Sequence, residues 1–168
     1  DGAGVATIKL DPAPGINYID RDRSTDKQAI QKIFGRIHKG YEEAVKADPE
    51  TANDPEALKR VMPYMGEVLL RHLRYATFGK GGEENCHPRR RLNNWMTRNL
   101  VVAGNFNMTN VDELFDLLVS IGQHPKERSD TMTVLEKIGH FLDVENDRLT
   151  QIHRQLGYSE KQITQVIA

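Results

Sequence analysis

The chain has 168 residues, and its 23 Lys+Arg nearly balance its 24 Asp+Glu, for a formal net charge of −1 at pH 7. A hydrophobic content of 38% and a charged content of 28% are those of an ordinary globular protein, and the length suits one domain with its own core. The balanced charge argues against a general binder of nucleic acid or of membrane surfaces, which would carry a basic excess. No apolar run approaches the roughly 20 residues needed to span a bilayer, so we expect a cytoplasmic protein.

The first third of the chain predicts a β-hairpin followed by a helix. An apolar, β-branched stretch over residues 5–10 predicts a strand, and the turn rich in Pro and Gly after it leads to a partner strand over 16–23. Apolar residues then recur at three- and four-residue steps, which predicts a helix from residue 25 or 26 to about 47. The sequence begins at a turn-to-strand junction, so we expect a fragment that lacks an N-terminal segment.

The middle of the chain predicts a short helix, a strand and a polar loop. Asp54 is a good N-cap and a proline comes directly after it, which predicts a helix to about residue 64. Residues 67–75 predict the next strand, although charged residues interrupt the alternation. Residues 79–94 predict a polar, Gly-rich loop that carries Arg89, Arg90 and Arg91.

The last part of the chain predicts one strand and then helices. Residues 99–105 predict a buried strand, and Asn110 with Glu113 three residues later predicts a capping box at a helix start. That helix is expected to bury Val111, Leu114, Phe115, Leu118 and Ile121. Residues 130–156 predict one long or broken helix, and Ser159 begins a final short one. Strands early and in the middle, with helices between and after them, predict an α+β fold.

Most generic catalytic motifs are absent. Six histidines show no HExxH spacing, and the single cysteine, Cys86, excludes both an intrachain disulfide and an all-Cys site, so we predict no metal. Phe78–Gly82 is no phosphate loop, because no Ser or Thr comes after Lys80. The Arg89–Arg91 run is compatible with a phosphate or an acidic partner, but a solvated loop is favoured. Cys86 with His87 beside it is compatible with a reactive thiol, but an incidental thiol is favoured.

Three polar segments are unusual when they are taken together. They are residues 72–79, where an Arg closes an apolar strand before a Gly-rich loop, residues 103–110, which carry three Asn ahead of a helix, and residues 129–131, at the next helix start. Taken singly, each has an ordinary structural explanation, such as an Arg that extends to solvent or an N-cap.

In order and spacing these segments resemble the class II glutamine amidotransferase domain of the amidophosphoribosyltransferase family. The family's H-x-R-Y-S-T-x-G is matched by His72–Gly79 with Ala in place of Ser, and its S-D-T by Ser129–Thr131. Its N-G-N-L-T-N is matched by Asn105–Asn110, in which Phe and Met replace Gly and Leu. The Asp1–Gly4 segment resembles the family segment that lies directly after R-G-Q. The resemblance spans nearly the whole chain, and the stretches between motifs are most similar to the form of Bacteroidetes-type bacteria.

The resemblance implies a fold and an activity. The fold would be the four-layer αββα sandwich of N-terminal nucleophile hydrolases, without its first strand. The activity would be hydrolysis of glutamine to glutamate, with transfer of the ammonia to phosphoribosyl pyrophosphate in purine synthesis. Residues 1–168 would be the glutaminase domain, partial at its N-terminus, with the phosphoribosyltransferase domain absent. The family nucleophile is an N-terminal Cys, and this sequence begins with Asp1, so the chain alone is expected to be inactive.

The resemblance also implies roles for five residues. Arg74 would hold the glutamine α-carboxylate, and Asp130 would pair with the α-ammonium. The side chain of Asn105 and the backbone N–H of Phe106 would donate to the oxyanion, which requires a backbone conformation at Phe106 that a bulky residue tolerates. Thr77 would shape the pocket.

Two other functions stay open. The chain could belong to a class II amidotransferase with a different ammonia acceptor, or to a non-catalytic domain of the same fold that binds a partner or an amino acid. No cofactor is expected in this domain. The expected partners are glutamine and the transferase half of the same polypeptide, a homo-oligomer is compatible with the resemblance, and neither nucleic acid nor a membrane is expected.

Overall fold

The computed structural model describes residues 2–74 and 82–167 of the chain. The chain divides into two compact units. The units comprise residues 1–89 with 101–104, and residues 90–100 with 105–168. Helices and small sheets both occur among the described residues, which agrees with the predicted α+β class.

The first unit contains a three-stranded antiparallel sheet. Its strands are β1 (Gly2–Ile8), β2 (Ile19–Ser24) and β3 (Val68–Arg74), in the order β2-β1-β3. The predicted hairpin is confirmed, and its turn contains Gly15 at a φ of 89°, a conformation that glycine adopts without steric cost. β1 begins earlier than predicted, because hydrogen bonding to a neighbour on both sides recruits its glycine-containing start into the sheet.

Helix α1 (Ala29–Ala47) packs on one face of this sheet. Side chains alternate between the faces of a strand, and β1 presents its odd-numbered residues to the helix. The resulting core consists of Ala3, Val5, Ala29 and Ile33, with Ile37 packed against it. The helix begins later than predicted, because Ser24 and Asp26 form a local turn in which the Asp26 N–H donates to Ser24 Oγ at 3.2 Å.

The opposite face of β1 lies against the segment around Cys86 and His87. A Cβ atom built on Gly2 would lie 2.3 Å from Cys86 Sγ, and one on Gly4 would lie 1.9 Å from the His87 carbonyl oxygen. No side chain larger than hydrogen fits at either position without movement of that segment. The two glycines therefore allow the segment to approach the sheet closely.

A short helix, α2 (Pro55–Val61), comes after a 3-10 turn at Pro49–Asn53. The predicted cap is confirmed, since Asp54 Oδ1 accepts hydrogen bonds from the Glu56 N–H at 2.9 Å and the Ala57 N–H at 3.0 Å. The helix ends at Val61, slightly before the predicted end.

The second unit is built on three helices: α3 (Val111–Ser120), α4 (Asp130–Gln155) and α5 (Glu160–Ile167). α4 is one unbroken helix that contacts both of the others. The buried apolar residues of the three helices are Leu118 of α3, Met132 and Leu135 of α4, and Ile163 of α5. No described helix combines the length and the apolar character that a membrane span requires.

The predicted buried strand over residues 99–105 is wrong in extent and in burial. Two three-residue strands, β4 (Arg89–Arg91) and β5 (Leu100–Val102), form a second sheet, and β5 is only half-buried. Asn99 does not join the strand, because its Nδ2 donates to the carbonyl oxygens of Asn93 at 3.0 Å and Trp95 at 2.9 Å.

The prediction of a solvated loop at Arg89–Arg91 is also wrong. Arg89 is only 8% exposed, and the Arg91 guanidinium contacts two acids of α4. It donates to Asp143 Oδ1 at 3.1 Å and lies 3.4 Å from Glu136 Oε2. A run of arginines looks solvated in the sequence because its acidic partners occur about 50 residues later.

The predicted capping box at α3 does not form. Asn110 occupies the N-cap position, but its side chain makes no capping hydrogen bond. Of the residues expected to be buried by α3, Leu118 is fully buried, whereas Ile121 lies just past the helix end and is 40% exposed.

Candidate functional site

Arg74 is the last residue of β3. It pairs with Gly2 of β1 in the sheet register, and its side chain is half-buried on the same face of the strand as that of His72. This is the face of the sheet that the Cys86–His87 segment approaches. The strand therefore presents a guanidinium at its end, and the role of Arg74 in binding a carboxylate stays a prediction.

The surroundings of Arg74 are strongly basic. The His72 and His87 rings lie with their centroids 4.6 Å apart. The pKa of His87 is lowered to about 4, mainly by burial, and the positive charges of His72, Arg89, Arg74 and Arg23 contribute in the same direction. Burial also lowers the pKa of His72. A bound anion would be stabilised in such surroundings by the guanidinium groups of Arg74, Arg23 and Arg89 in a partly desolvated place, whereas the lowered pKa values leave both histidines largely uncharged at pH 7.

Arg23 helps to fix this basic cluster. Its Nη1 donates to the carbonyl oxygens of Glu84 at 2.9 Å and of Cys86 at 3.0 Å, so β2 holds the segment before His87. Cys86 itself is fully buried, with Sγ at 3.9 Å from the carbonyl oxygens of Ser24 and Gly82. The thiol fills space under the sheet and has no solvent access, which argues for a packing role.

Thr77 lies outside the described residues, so its assignment to the pocket stays a prediction. The same holds for the rest of the His72–Gly79 motif beyond Arg74.

Asn105 and Phe106 lie in a segment of the second unit that is neither helix nor strand. Both side chains are exposed, Phe106 by 36%. Among the residues that the structure describes, Asp11 is the one non-glycine residue with a positive φ. The backbone at Phe106 therefore avoids the left-handed region, and a bulky residue is tolerated where the family has glycine.

Asp130 is the first residue of α4, and its carboxylate is turned toward the Asn105 segment. Ser129 caps the helix by accepting from the Met132 N–H at 3.4 Å. Asp130 Oδ2 accepts a hydrogen bond from the Met108 N–H at 2.9 Å. The structure thus brings two of the three sequence motifs together, the turn with three Asn and the Ser-Asp-Thr helix start.

A basic clamp holds α3 beside this helix start. Arg128 donates to Asp112 Oδ1 at 2.9 Å and to Asp116 Oδ1 at 2.8 Å, and its guanidinium lies 4.4 Å from the centre of the Phe115 ring. Arg128 is two residues before Asp130, so these contacts fix the chain where α4 begins.

Arg74 belongs to the first unit, whereas Asn105, Phe106 and Asp130 belong to the second. The convergence of all four in one pocket therefore stays a prediction. Sequence reasoning missed His87 and Met108. The sequence shows His87 only as a neighbour of the Cys86 thiol, and Met108 acts through its backbone, which its residue type does not reveal.

The described residues also contain an apolar pocket that no predicted site residue lines. It has a volume of about 270 Å³ and lies between α1 and the sheet, with Ile33, Phe34, Arg71 and Leu73 among its walls. Within residues 2–74 and 82–167, no three His, Cys, Asp or Glu side chains are grouped so that they could hold a metal ion.

Comparison with known proteins identifies a distant relative. A stretch of 125 residues, 74% of this chain, is 29% identical to glutamine–fructose-6-phosphate aminotransferase [isomerizing] of Saccharomyces cerevisiae. The chain spans about a sixth of that relative's length, since the match covers 16% of it. No family model and no solved structure matches the chain. The similarity supports a class II glutamine amidotransferase domain and gives no support to the amidophosphoribosyltransferase type.

Proposed function

We propose that this chain is the glutamine-hydrolysing domain of an amidotransferase, which converts glutamine to glutamate and passes the ammonia to an acceptor. The observation that carries the proposal is the hydrogen bond from the Met108 N–H to Asp130 Oδ2, at 2.9 Å. This bond brings the Asp130 carboxylate against the turn that carries Asn105, which supports Asp130 as the proposed partner of the α-ammonium group. The distant similarity to a glutamine-dependent aminotransferase supports the same function.

Two opposite charges would select a free amino acid. In the proposed site, Asp130 would pair with the α-ammonium group, and Arg74 would offer a planar pair of donors to the α-carboxylate. The basic residues around His87 favour the carboxylate further, because they create a positive potential on the Arg74 side of the sheet. A protein-bound glutamine lacks both free charges and would be rejected.

The Asn105 segment would stabilise the oxyanion. In the family, an N-terminal Cys attacks the side-chain amide carbon while its own α-amino group takes the thiol proton, and ammonia leaves to give a thioester that water hydrolyses. The Asn105 side chain and the Phe106 N–H would donate to the oxygen that becomes negative in both steps. Cys86 is buried and internal and takes no part.

The acceptor is the finer part of the proposal. The motifs at residues 72–79, 105–110 and 129–131 favour phosphoribosyl pyrophosphate, and therefore a cytoplasmic enzyme of purine synthesis whose transferase half belongs to the same polypeptide. The name of the yeast relative favours fructose 6-phosphate as a second candidate. The intact protein should release glutamate from glutamine, and the true acceptor should stimulate that release. Stimulation by fructose 6-phosphate but not by phosphoribosyl pyrophosphate would transfer the assignment to the second candidate.

Steady-state kinetics of variants in the intact protein test the site. Arg74→Lys should raise KM, because a lysine keeps the charge and loses the paired donors. Asp130→Asn should raise KM more, because the substrate ammonium then has no counter-charge. Asn105→Ala should mainly lower kcat, by about 100-fold or more if its bond forms fully only in the transition state.

Arg71→Lys is the matched control for Arg74→Lys. Arg71 lies on the same strand but faces the other side of the sheet, toward Phe34, so this exchange should leave both kinetic constants unchanged. A pure KM effect of Asn105→Ala, or the same profile for all variants, would contradict the division into binding and oxyanion roles. Binding of glutamine without release of glutamate would instead indicate a non-catalytic amino-acid-binding domain.

A further inference from the structure

The segment that contains Asn105 makes few hydrogen bonds to the rest of the protein. It has no helix or strand between β5 and the turn before α3. Among the described residues, one hydrogen bond fixes residues 103–109 to the rest of the protein, and that bond joins the Met108 N–H to Asp130 Oδ2. Ordering a single residue costs about 1–2 kcal/mol of backbone entropy, so the position of such a segment depends on the few bonds that it makes.

The bond to Asp130 is of a strong kind. An ionised carboxylate that accepts from a backbone N–H forms a charge-assisted hydrogen bond, which is roughly twice as strong as a neutral one. Asp130 is itself fixed, because it begins a helix that Ser129 caps and because Arg128 ties the preceding residues to α3. The rigid end of α4 therefore positions the segment, rather than the reverse.

Only one oxygen of the carboxylate is used in this way. Within the part of the chain that the structure describes, Oδ2 accepts from Met108, while no hydrogen bond or ion pair reaches Oδ1. One oxygen can therefore hold the segment while the other is available to an ammonium group.

We propose that Asp130 acts also as a positioning residue, whose bond to the Met108 N–H holds the Asn105 and Phe106 oxyanion donors in place. The inference rests on the proposed function, and it adds that one carboxylate serves both substrate binding and the oxyanion site. Removing the carboxylate should then impair the chemical step as well as glutamine binding. Met108 contributes through its backbone, and its side chain is not required.

Two substitutions of Asp130 separate the roles in the intact protein. Asp130→Asn loses the charge but keeps a carbonyl oxygen that can accept from the Met108 N–H, so KM should rise while kcat falls by no more than about threefold. Asp130→Ala loses both charge and acceptor. Its kcat should be at least about tenfold below that of Asp130→Asn, because the loss of one oxyanion donor lowers kcat by about 100-fold or more, and displacement is a partial loss.

Changes at Met108 give the reciprocal test. Met108→Pro removes the N–H and leaves the carboxylate, so kcat should fall with little change in KM. Met108→Leu keeps the N–H and should behave as the unchanged protein. Asp147→Ala, an acid of the same helix that pairs with Arg98 instead, is the control for loss of an α4 carboxylate and should leave kcat and KM unchanged.

Hydrogen exchange supplies a readout that does not depend on activity. Exchange of the Met108 amide, the one in this segment that donates a hydrogen bond among the described residues, should become faster in Asp130→Ala and stay as slow as in the unchanged protein in Asp130→Asn, as measured by mass spectrometry. Equal exchange and equal kcat in the two Asp130 variants would overturn the positioning role even in an active glutaminase. Fast exchange in Asp130→Ala, in a protein that never releases glutamate, would leave the positioning contact standing and refute the proposed function alone.

Discussion

Substitution of Gly139, in the middle of α4, by alanine should destabilise the protein, although alanine normally favours a helix. A Cβ atom built there would lie 2.5 Å from Arg91 Cδ, 2.7 Å from Nε and 3.0 Å from Cζ. The Arg91 side chain cannot easily move away, because it donates to Asp143 and to the Gly139 carbonyl oxygen at 3.4 Å and lies beside Glu136. The arginine crosses the helix directly over the glycine, so a methyl group at Gly139 must displace it.

Two opposed effects decide the magnitude of Gly139→Ala. Alanine favours the helical backbone over glycine by about 1 kcal/mol. Displacing Arg91 weakens its hydrogen bonds to a carboxylate, each worth about 1.5–3 kcal/mol net, in a place where the Arg91 side chain is only 15% exposed. The second effect is larger, and we expect a net loss of about 1–2 kcal/mol in the free energy of unfolding.

Urea denaturation, with hydrogen exchange of the α4 amides as a local measure, tests this expectation. Gly40→Ala on α1 is the matched control, because a Cβ there meets nothing within 4 Å and should stabilise by up to about 1 kcal/mol. In an Arg91→Ala background the effect of Gly139→Ala should change sign and become stabilising. Equal stabilisation by both glycine substitutions in the unchanged background would refute the reasoning.

Two further stability predictions concern single side chains. The folded pKa of His87 is lowered from 6.5 to about 4, so the unfolded state binds more protons between these values, and stability that is present above pH 6.5 should be lost as the pH falls toward 4. In His87→Gln, the free energy of unfolding measured by urea denaturation should depend less on pH between pH 7 and 5 than in the unchanged protein. His38→Gln, on the exposed face of α1, should keep the pH dependence of the unchanged protein. The same pH dependence in both variants would contradict the role of His87. Asp54→Ala should cost about 1 kcal/mol in thermal unfolding because two N–H groups lose their acceptor, whereas Asn110→Ala, which removes no capping bond, should cost a few tenths; similar losses would contradict this.

Local signals in the sequence were sufficient where a pattern repeats along one element. The hairpin of β1 and β2, the cap at Asp54 and the full length of α4 were predicted from alternation, cap chemistry and helical spacing. The errors occur where side-chain contacts outside the repeating pattern decide the structure. Arg91 of β4 is ordered by acids of α4 that are far away in the sequence, and Asn99 leaves its predicted strand because its side chain bonds to the carbonyl groups of Asn93 and Trp95.

For the candidate site, too, the sequence suggested individual residues but not the contacts between segments. The motifs suggested Asn105 and Asp130 as candidate residues, whose roles stay predictions, but they did not reveal the bond between the two segments, because its donor is a backbone N–H whose partner is 22 residues away. The grouping of Gly2 and Gly4 with the Cys86–His87 segment was also hidden, since a glycine alone does not reveal what approaches it.

Helix α4 connects the stability of the second unit with its candidate site. Its N-terminal Asp130 holds the Asn105 segment, while its middle holds the 90–100 segment through Asp143 and through Asn146, which accepts from Thr97 Oγ1 at 2.5 Å. Gly139 lies nine residues after Asp130, about 14 Å along the helix axis. A displaced Arg91 should therefore lower the stability of the unit without breaking the Met108–Asp130 bond. Gly139→Ala can therefore serve as a control for general destabilisation. If it keeps full activity while Asp130→Ala, at a similar free energy of unfolding, loses kcat, the loss in Asp130→Ala is a positioning effect.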